Sequence, residues 1–230
     1  MLKADLHTHT IASYDSCSTI AQIIKRCQKV GINCLAVTDH NEIDGALRMQ
    51  DQAPFRVIIG EEIFSSEGEV IGLFLKKRIK PGRTLKETVC LIKEQGGVVY
   101  LPHPVSGIRK SKLSKAALVE VIDLIDLIEL HNARTRSEDK QDRMWVERIV
   151  SDYQKTVAVA SDAHSVCELG NVIVSMDEFS TQEEFLTSVA KATFAFKPCP
   201  LWIRIVMHNR IRKLIRKWQL NGRQNSRNRR

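Results

Sequence analysis

Five short apolar runs in this chain of 230 residues each lead to one or two histidines. The first run, 2–6, alternates like a β-strand and leads to His7 and His9, which point to the same side of a strand because they are two residues apart. The other runs are 34–37, 97–101, 124–130 and 156–160, and they lead to His40, His103, His131 and His164. Packing alone does not collect histidines at strand ends. In an α/β barrel or a doubly wound sheet, the carboxyl ends of the strands are where active sites are built.

Helical patterns alternate with these strands along the chain. The predicted helices are 19–30, 44–50, 84–95, 113–121 and 137–153, and further strands are predicted at 56–60, 69–75 and 171–175. Strand followed by helix, repeated six or seven times, is typical of a parallel sheet covered by helices. We therefore predict one large α/β domain over residues 1–200.

The composition favours a soluble globular protein. Apolar residues make up 43% of the chain and charged residues 27%, and no apolar run approaches the ~20 residues that span a membrane. The amino terminus shows no signal-peptide pattern. The six cysteines form no C-x-x-C pair, so we expect reduced thiols and a cytoplasmic location.

The net charge of +8 is unevenly distributed. Residues 185–230 contain 12 lysines and arginines and no acidic residue, whereas the rest of the chain is mildly acidic. One apolar helical face is predicted near the carboxyl terminus, formed by Ile203, Met207, Ile211, Leu214 and Trp218. We predict a basic amphipathic helix at 201–220 that packs on the domain, followed by a disordered basic tail at 221–230. The alternatives are contact with nucleic acid or with an anionic membrane surface.

Carboxylates share the strand ends with the histidines. Asp15 follows the first histidine pair, Glu61 and Glu62 follow the strand at 56–60, and Asp162 lies two residues before His164. A mixed set of imidazoles and carboxylates selects Zn, Mn or Fe, and the absence of thiolate ligands argues against a structural zinc site. So many ligands would suit two or three divalent ions that share a bridging carboxylate. Such clusters activate water and bind both the attacking and the leaving oxygen of a phosphoryl group.

The order His-x-His, Asp, Thr-Asp-His, Gly-x-Glu, His-Pro, Ser-Asp-x-His resembles the PHP family, which is named for polymerase and histidinol phosphatase. The resemblance covers roughly residues 3–175. It implies a distorted, TIM-like (β/α)7 barrel with a trinuclear metal centre at the carboxyl ends of its strands. Members of the family are mostly phosphoesterases, namely phosphatases, nucleotidases and exonucleases.

The same resemblance implies a role for each matching residue. The first ion would be held by His7, His9, Glu62 and Asp162. Glu62 would bridge to a second ion that is also held by His103, and the third ion would be held by Asp15, His40 and His164. Many relatives carry a histidine where this chain has Glu69, which is either an oxygen ligand of the second ion or an exposed residue at the start of a strand. His131 occupies a variable family position and is either a ligand or a residue that faces the substrate.

These observations predict a metal-dependent phosphoesterase that acts on a phosphorylated small molecule or a nucleotide. The expected catalytic residues are Asp162, His40 and His164, of which His164 could protonate the leaving alkoxide. Arg134 follows a strand end and Arg109 follows the His-Pro turn, so both could bind phosphate, or they are solvated loop residues. Two alternatives stay open: an amidohydrolase-type carbon–nitrogen hydrolase with the same centre, and a non-catalytic protein that binds nucleic acid through its basic tail.

Overall fold

A computed structural model of the protein describes residues 1–104, 113–134 and 140–200. Arg109 and the predicted segments 201–220 and 221–230 lie outside these residues. In the part described, no helix is both long enough and apolar enough to cross a membrane. All six cysteines are described, and none of them forms a disulfide bond.

Nine strands and six helices make up the described chain. The strands are β1 (Leu2–Thr8), β2 (Cys34–Val37), β3 (Arg56–Ser65), β4 (Gly68–Leu73), β5 (Val98–Leu101), β6 (Leu127–Asn132), β7 (Thr156–Ala160), β8 (Val172–Met176) and β9 (Thr193–Phe196). The helices are α1 (Ile20–Val30), α2 (Asp44–Gln52), α3 (Leu85–Glu94), α4 (Lys115–Val121), α5 (Lys140–Asp152) and α6 (Gln182–Ala190). A short 3₁₀ turn, Ile122–Leu124, links α4 to β6. The sequence did not predict α6 or β9.

The strands form one sheet in the order β7-β6-β5-β4-β3-β2-β1-β8-β9. The strands β1, β2 and β3 are parallel, and so are β5, β6 and β7. The sheet curls until the end of β7 reaches β1, where Thr8 pairs with Ala163 and the His9 amide donates to the Ala163 carbonyl oxygen at 2.9 Å. The result is a nearly closed barrel, which confirms the predicted distorted (β/α)7 architecture.

The distortion comes from β4, which is antiparallel to both β3 and β5. Only Ser66 and Glu67 separate β3 from β4, and a connection of two residues is long enough for a hairpin but too short for the crossover that parallel strands need. The prediction of a parallel sheet is therefore wrong for β4, and also for β8, which is antiparallel to β1. Pairing with β4 also extends β3 five residues beyond the predicted end at residue 60.

Local sequence signals set the ends of the helices that cover the barrel. Thr19 and Thr84 cap α1 and α3 through capping boxes with Gln22 and Glu87. Gly31 ends α1 with a φ of 77°, a left-handed conformation that favours glycine. Inside the barrel, one apolar core collects small and large side chains of β1 to β7, including Ala4, Ile71 and Tyr100. This core fixes the strands, so the residues at their carboxyl ends converge at one end of the barrel.

Candidate metal centre

The two histidines of the first motif lie together at the end of β1. His7 and His9 are both buried, and their Nε2 atoms are 3.1 Å apart. The Nδ1 atom of His7 is 2.9 Å from Glu129 Oε2, and that of His9 is 3.0 Å from Ser13 Oγ. A hydrogen bond from Nδ1 leaves the lone pair on Nε2, so both rings are oriented to offer Nε2 to a shared ion.

Glu62 of β3 lies at the centre of the cluster. Its Oε2 is 3.0 Å from His40 Nδ1, 3.3 Å from His9 Nε2 and 3.4 Å from His7 Nε2. Its Oε1 is 3.0 Å from His103 Nε2. One carboxylate thus contacts four imidazoles from three strand ends, which is the arrangement a bridging ligand needs. Glu69 of β4 is 9% exposed and its Oε2 is 3.8 Å from His103 Nε2, so it is not the exposed residue that one alternative described.

A second carboxylate connects the histidine pair to the loop after β7. Asp162 Oδ1 is 3.3 Å from His9 Nε2, 3.6 Å from His7 Nε2 and 3.3 Å from His164 Nδ1. Asp162 has a φ of 54°, an uncommon conformation for a residue other than glycine, and it turns the chain so that His164 also reaches the cluster. Asp15 Oδ2 completes this side, at 3.1 Å from His164 Nε2 and 3.4 Å from His40 Nε2.

The alternation of imidazoles and carboxylates shifts their pKa values. Burial raises the pKa of Glu62, but His40, His7 and the hydrogen bond from His103 outweigh burial and hold that pKa well below its usual range. Burial lowers the pKa of His40, but Glu62 and Asp15 outweigh it and raise the pKa to about 10. For His9, burial and the neighbouring His164 and His40 lower the pKa well below its usual range. In the metal-free protein the cluster therefore holds both charged carboxylates and protonated histidines.

The cluster fits divalent cations by the position of its ligand atoms. Within the described ranges, four groups of three residues bring ligand atoms within 4.8 Å of one another. They are His9, His40 and His164; His7, His103 and Asp162; His7, His9 and Glu62; and His40, Glu62 and Glu69. In the cluster as a whole, three atoms are buried without a hydrogen bond of good geometry: Glu62 Oε2, His40 Nδ1 and Asp15 Oδ1. Buried polar atoms that converge without hydrogen bonds suit a shared cation.

Three residues that the sequence analysis did not single out orient this cluster from β5 and β6. Glu129 accepts hydrogen bonds from Tyr100 Oη at 3.0 Å and from Asn132 Nδ2 at 2.5 Å, in addition to contacting His7. Asn132 Nδ2 is also 3.3 Å from Asp162 Oδ2. A signal was present, because Glu129 is an acidic residue inside an apolar strand and such a residue needs a buried partner.

A second network that the sequence analysis missed holds the loop after β1. Asp39 accepts hydrogen bonds from the Thr10 amide at 2.6 Å, from Thr10 Oγ1 at 2.6 Å and from Ser13 Oγ at 2.7 Å. Ser13 Oγ in turn contacts His9 Nδ1 and accepts from the His40 amide at 3.0 Å. Asp39 therefore fixes two ligand-bearing loops at once.

Two of the residues predicted to face the substrate, Arg134 and His131, lie at different distances from the cluster. Arg134 Nη1 is 3.5 Å from the Asp162 carbonyl oxygen, and its Nε is 3.3 Å from Glu168 Oε1, so its guanidinium lies beside the cluster. His131 Nδ1 is 3.4 Å from Arg143 Nη2, and its ring lies 6.0 Å from that of Phe196. Of the four ligand groups found in the described part of the chain, none includes His131.

Comparison with known proteins gives the same family as the sequence motifs. The PHP domain matches residues 5–196. Two proteins of Methanocaldococcus jannaschii are similar to the chain. Uncharacterized protein MJ1587 is 42% identical over 48% of this chain and 72% of its own length. Uncharacterized protein MJ0417 is 31% identical over 79% of this chain and 73% of its own length.

Solved structures share the fold at lower identity. A two-domain protein from Bacteroides vulgatus that contains a predicted PHP-like metal-dependent phosphoesterase superposes with a TM-score of 0.66 and 17% identity, over 85% of this chain and 65% of its own. An amidohydrolase from Chromobacterium violaceum with bound sulfate superposes with a TM-score of 0.54 and 15% identity. The superposition covers 89% of this chain and 96% of that structure. The fold and the match over residues 5–196 together show that this chain belongs to the PHP domain family.

Proposed function

We propose that this protein hydrolyses a phosphoester at a centre of two or three divalent ions, Mn, Zn or Fe. The observation that carries the proposal is the position of Glu62, whose two oxygens lie 3.0–3.4 Å from nitrogens of four buried imidazoles. Membership of a family of metal-dependent phosphoesterases supports the same reaction class.

The distances support a division of the ligands into three groups. The first is His7, His9, Glu62 and Asp162, the second is Glu62, His103 and Glu69, and the third is Asp15, His40 and His164. We place Glu62 in two of these groups because Oε1 faces His103, whereas Oε2 lies 3.3–3.4 Å from His9 and His7. Ions held there would activate a water molecule and neutralise the charge that develops on the phosphoryl oxygens.

Side chains of the protein itself would orient the substrate. We assign Arg134 to the phosphate, because its guanidinium lies against Asp162 and Glu168 holds its Nε. His164 Nδ1 lies 2.9 Å from the Asp162 carbonyl oxygen, to which it can donate, so Nε2 is the nitrogen left to bind an ion or transfer a proton. His164 can therefore serve as a ligand or as the acid that protonates the leaving alkoxide, but Nε2 cannot serve both at once. We assign it to the third ligand group.

The reaction class is tested with purified protein loaded with Mn²⁺, Zn²⁺ or Fe²⁺ and a panel of phosphomonoesters, phosphodiesters and cyclic amides. We expect phosphate release that a chelator abolishes and that Asp162→Asn and His40→Ala each reduce at least tenfold, with cooperative unfolding retained in both variants. Turnover of cyclic amides without turnover of any phosphoester would replace the proposal by the amidohydrolase alternative.

A further inference from the structure

One buried carboxylate joins two loops at the end of the barrel that carries the cluster. Glu168 lies in the loop after β7, and its side chain is 2% exposed. Its Oε1 is 3.3 Å from Arg134 Nε, in the loop after β6. Its Oε2 accepts hydrogen bonds from the His164 amide at 3.0 Å and from Ser165 Oγ at 2.9 Å. Glu168 therefore contacts the arginine assigned to phosphate and the backbone of a candidate metal ligand at the same time.

The chain after β9 closes this contact from a third side. The Cys199 amide donates to the carbonyl oxygen of Ala133, directly before Arg134, at 2.9 Å. Cys199 Sγ lies 3.5 Å from Glu168 Oε1, to which it can donate. The loops after β6 and β7 are thus fastened to the same residue, and backbone contacts fix the spacing between Arg134 and Glu168.

The guanidinium of Arg134 is held at two atoms. Besides the contact of Nε with Glu168, its Nη1 lies 3.5 Å from the Asp162 carbonyl oxygen, and the side chain is 21% exposed. These contacts involve two of the five N–H groups of a guanidinium, and a bidentate contact with phosphate needs two. An arginine held in this way has already lost the rotamer freedom that phosphate binding would otherwise remove.

Charge and orientation give opposite expectations for Glu168. A negative charge beside Arg134 repels phosphate, whereas an oriented guanidinium binds phosphate with a smaller loss of entropy. A side chain that served only to hold the His164 amide could be a glutamine, since an amide oxygen also accepts hydrogen bonds. The negative charge is explained by Arg134, because a buried carboxylate is costly unless a cation pairs with it.

We infer that Glu168 is a positioning residue that holds Arg134 in the orientation that binds phosphate. In this role the gain from orientation outweighs the repulsion between the Glu168 carboxylate and the ligand. The inference rests on the proposed function for the identity of the ligand, but phosphate binding can be measured without turnover. The loop after β7 then supplies a metal ligand and also orients the arginine of the neighbouring loop.

The test titrates inorganic phosphate by calorimetry into the Mn²⁺-loaded protein and determines the metal content of each variant. We expect Glu168→Gln, which keeps an acceptor for the His164 amide, to weaken phosphate binding roughly three- to tenfold, in line with the cost of immobilising one long side chain. Its metal content should stay at the wild-type level. Glu168→Asp should also weaken phosphate binding, because it keeps the charge but its shorter side chain no longer reaches Arg134 Nε.

A double-mutant cycle shows whether Glu168 acts through Arg134. Arg134→Lys keeps a cation beside the buried carboxylate but removes the planar fork that Glu168 holds. In this background Glu168→Gln should change the phosphate affinity by less than about twofold. Glu147→Gln is the matched control, because Glu147 pairs with Arg143 at 3.2 Å on α5 and is half-exposed, and it should leave the phosphate affinity unchanged.

Tighter phosphate binding by Glu168→Gln would overturn the inference, because charge repulsion would then dominate. A loss of metal together with the loss of affinity, or an equal loss of affinity in the Arg134→Lys background, would also overturn it, because either result indicates a structural role. A wild type that binds no phosphate would overturn it as well. Phosphate binding with the expected dependence on Glu168, but without hydrolysis of any phosphoester, would support the positioning role and count against the proposed function.

Discussion

Adjacent glutamates in β3 have opposite roles because strand residues alternate between faces. The Glu62 side chain enters the cluster, whereas Glu61 Oε2 accepts a hydrogen bond from the Ile79 amide at 2.8 Å. Burial raises the pKa of Glu61 to about 7, while the histidines around Glu62 hold its pKa well below the usual range. The two side chains are chemically identical, but Glu61 is only partly ionised at neutral pH, whereas Glu62 keeps its negative charge and is better suited to bind cations.

The pKa values lead to a prediction about protons. His40 has a pKa of about 10 in the metal-free protein, and burial of His7 is outweighed by Asp162, Glu129 and Glu62, so its pKa is also raised. A metal ion binds only the neutral imidazole, so binding at pH 7 should release about one proton or more, and affinity should fall as the pH falls. Calorimetric titration of Mn²⁺ in two buffers with different ionisation enthalpies measures this release. Identical apparent enthalpies would contradict the prediction.

Glu129 supports a prediction about orientation. Its Oε2 lies 2.9 Å from His7 Nδ1, and replacement by glutamine keeps the volume but removes the charge that fixes this imidazole. We expect Glu129→Gln to weaken metal binding by about 10- to 100-fold. Tyr100→Phe, which removes a neutral partner of the same carboxylate, should have a smaller effect. If Glu129→Gln bound metal like the wild type, Glu129 would not be the residue that orients His7.

At the level of elements, α2 packs closely at Gly45 against the loop that follows β1 and carries candidate metal ligands. A Cβ at this position would overlap Asp39 Oδ2 and Thr10 Oγ1. Intrinsic helix propensity favours alanine over glycine by about 1 kcal/mol, so propensity and packing give opposite expectations. We expect packing to dominate and Gly45→Ala to destabilise the protein by about 1–3 kcal/mol.

Denaturant unfolding of the metal-free protein tests this expectation. Asp51→Ala, at an exposed position of α2, is the control and should change the free energy of unfolding by less than about 0.5 kcal/mol. A Gly45→Ala variant that is more stable than the wild type would show that Asp39 can move without cost.

The sequence predicted strands correctly where the pattern of apolar residues and the residue types both favour a buried strand. The runs 34–37 and 156–160 match β2 and β7 residue for residue, because buried strands read as unbroken apolar runs. The direction of β4 was not predicted, since an apolar run has the same pattern in either direction and only the length of the turn before it decides. Glu129 and Asp39 were missed for a related reason: their partners, His7 and Thr10, are distant in sequence and only the closed barrel brings them together.

At the level of the whole molecule, closure of the barrel creates the candidate centre. His9 and Asp162 are 153 positions apart in the chain, yet Nε2 and Oδ1 lie 3.3 Å from each other because β7 returns to β1. The histidines and carboxylates could be identified from their places after apolar runs, and their convergence could be expected from a parallel barrel. Which oxygen faces which imidazole depends on side-chain geometry that a linear pattern does not contain.

The proposed function depends on the claim that Glu62 bridges a cluster of metal ions. Elemental analysis of protein expressed with excess Mn, Zn and Fe tests it most directly, with Glu61→Gln as the control for loss of a buried carboxylate on the opposite face of the same strand. We predict two or three ions per chain in the wild type and in Glu61→Gln, and a loss of at least one ion in Glu62→Gln while cooperative unfolding is retained. A wild-type content near zero, or an unchanged content in Glu62→Gln, would contradict the claim.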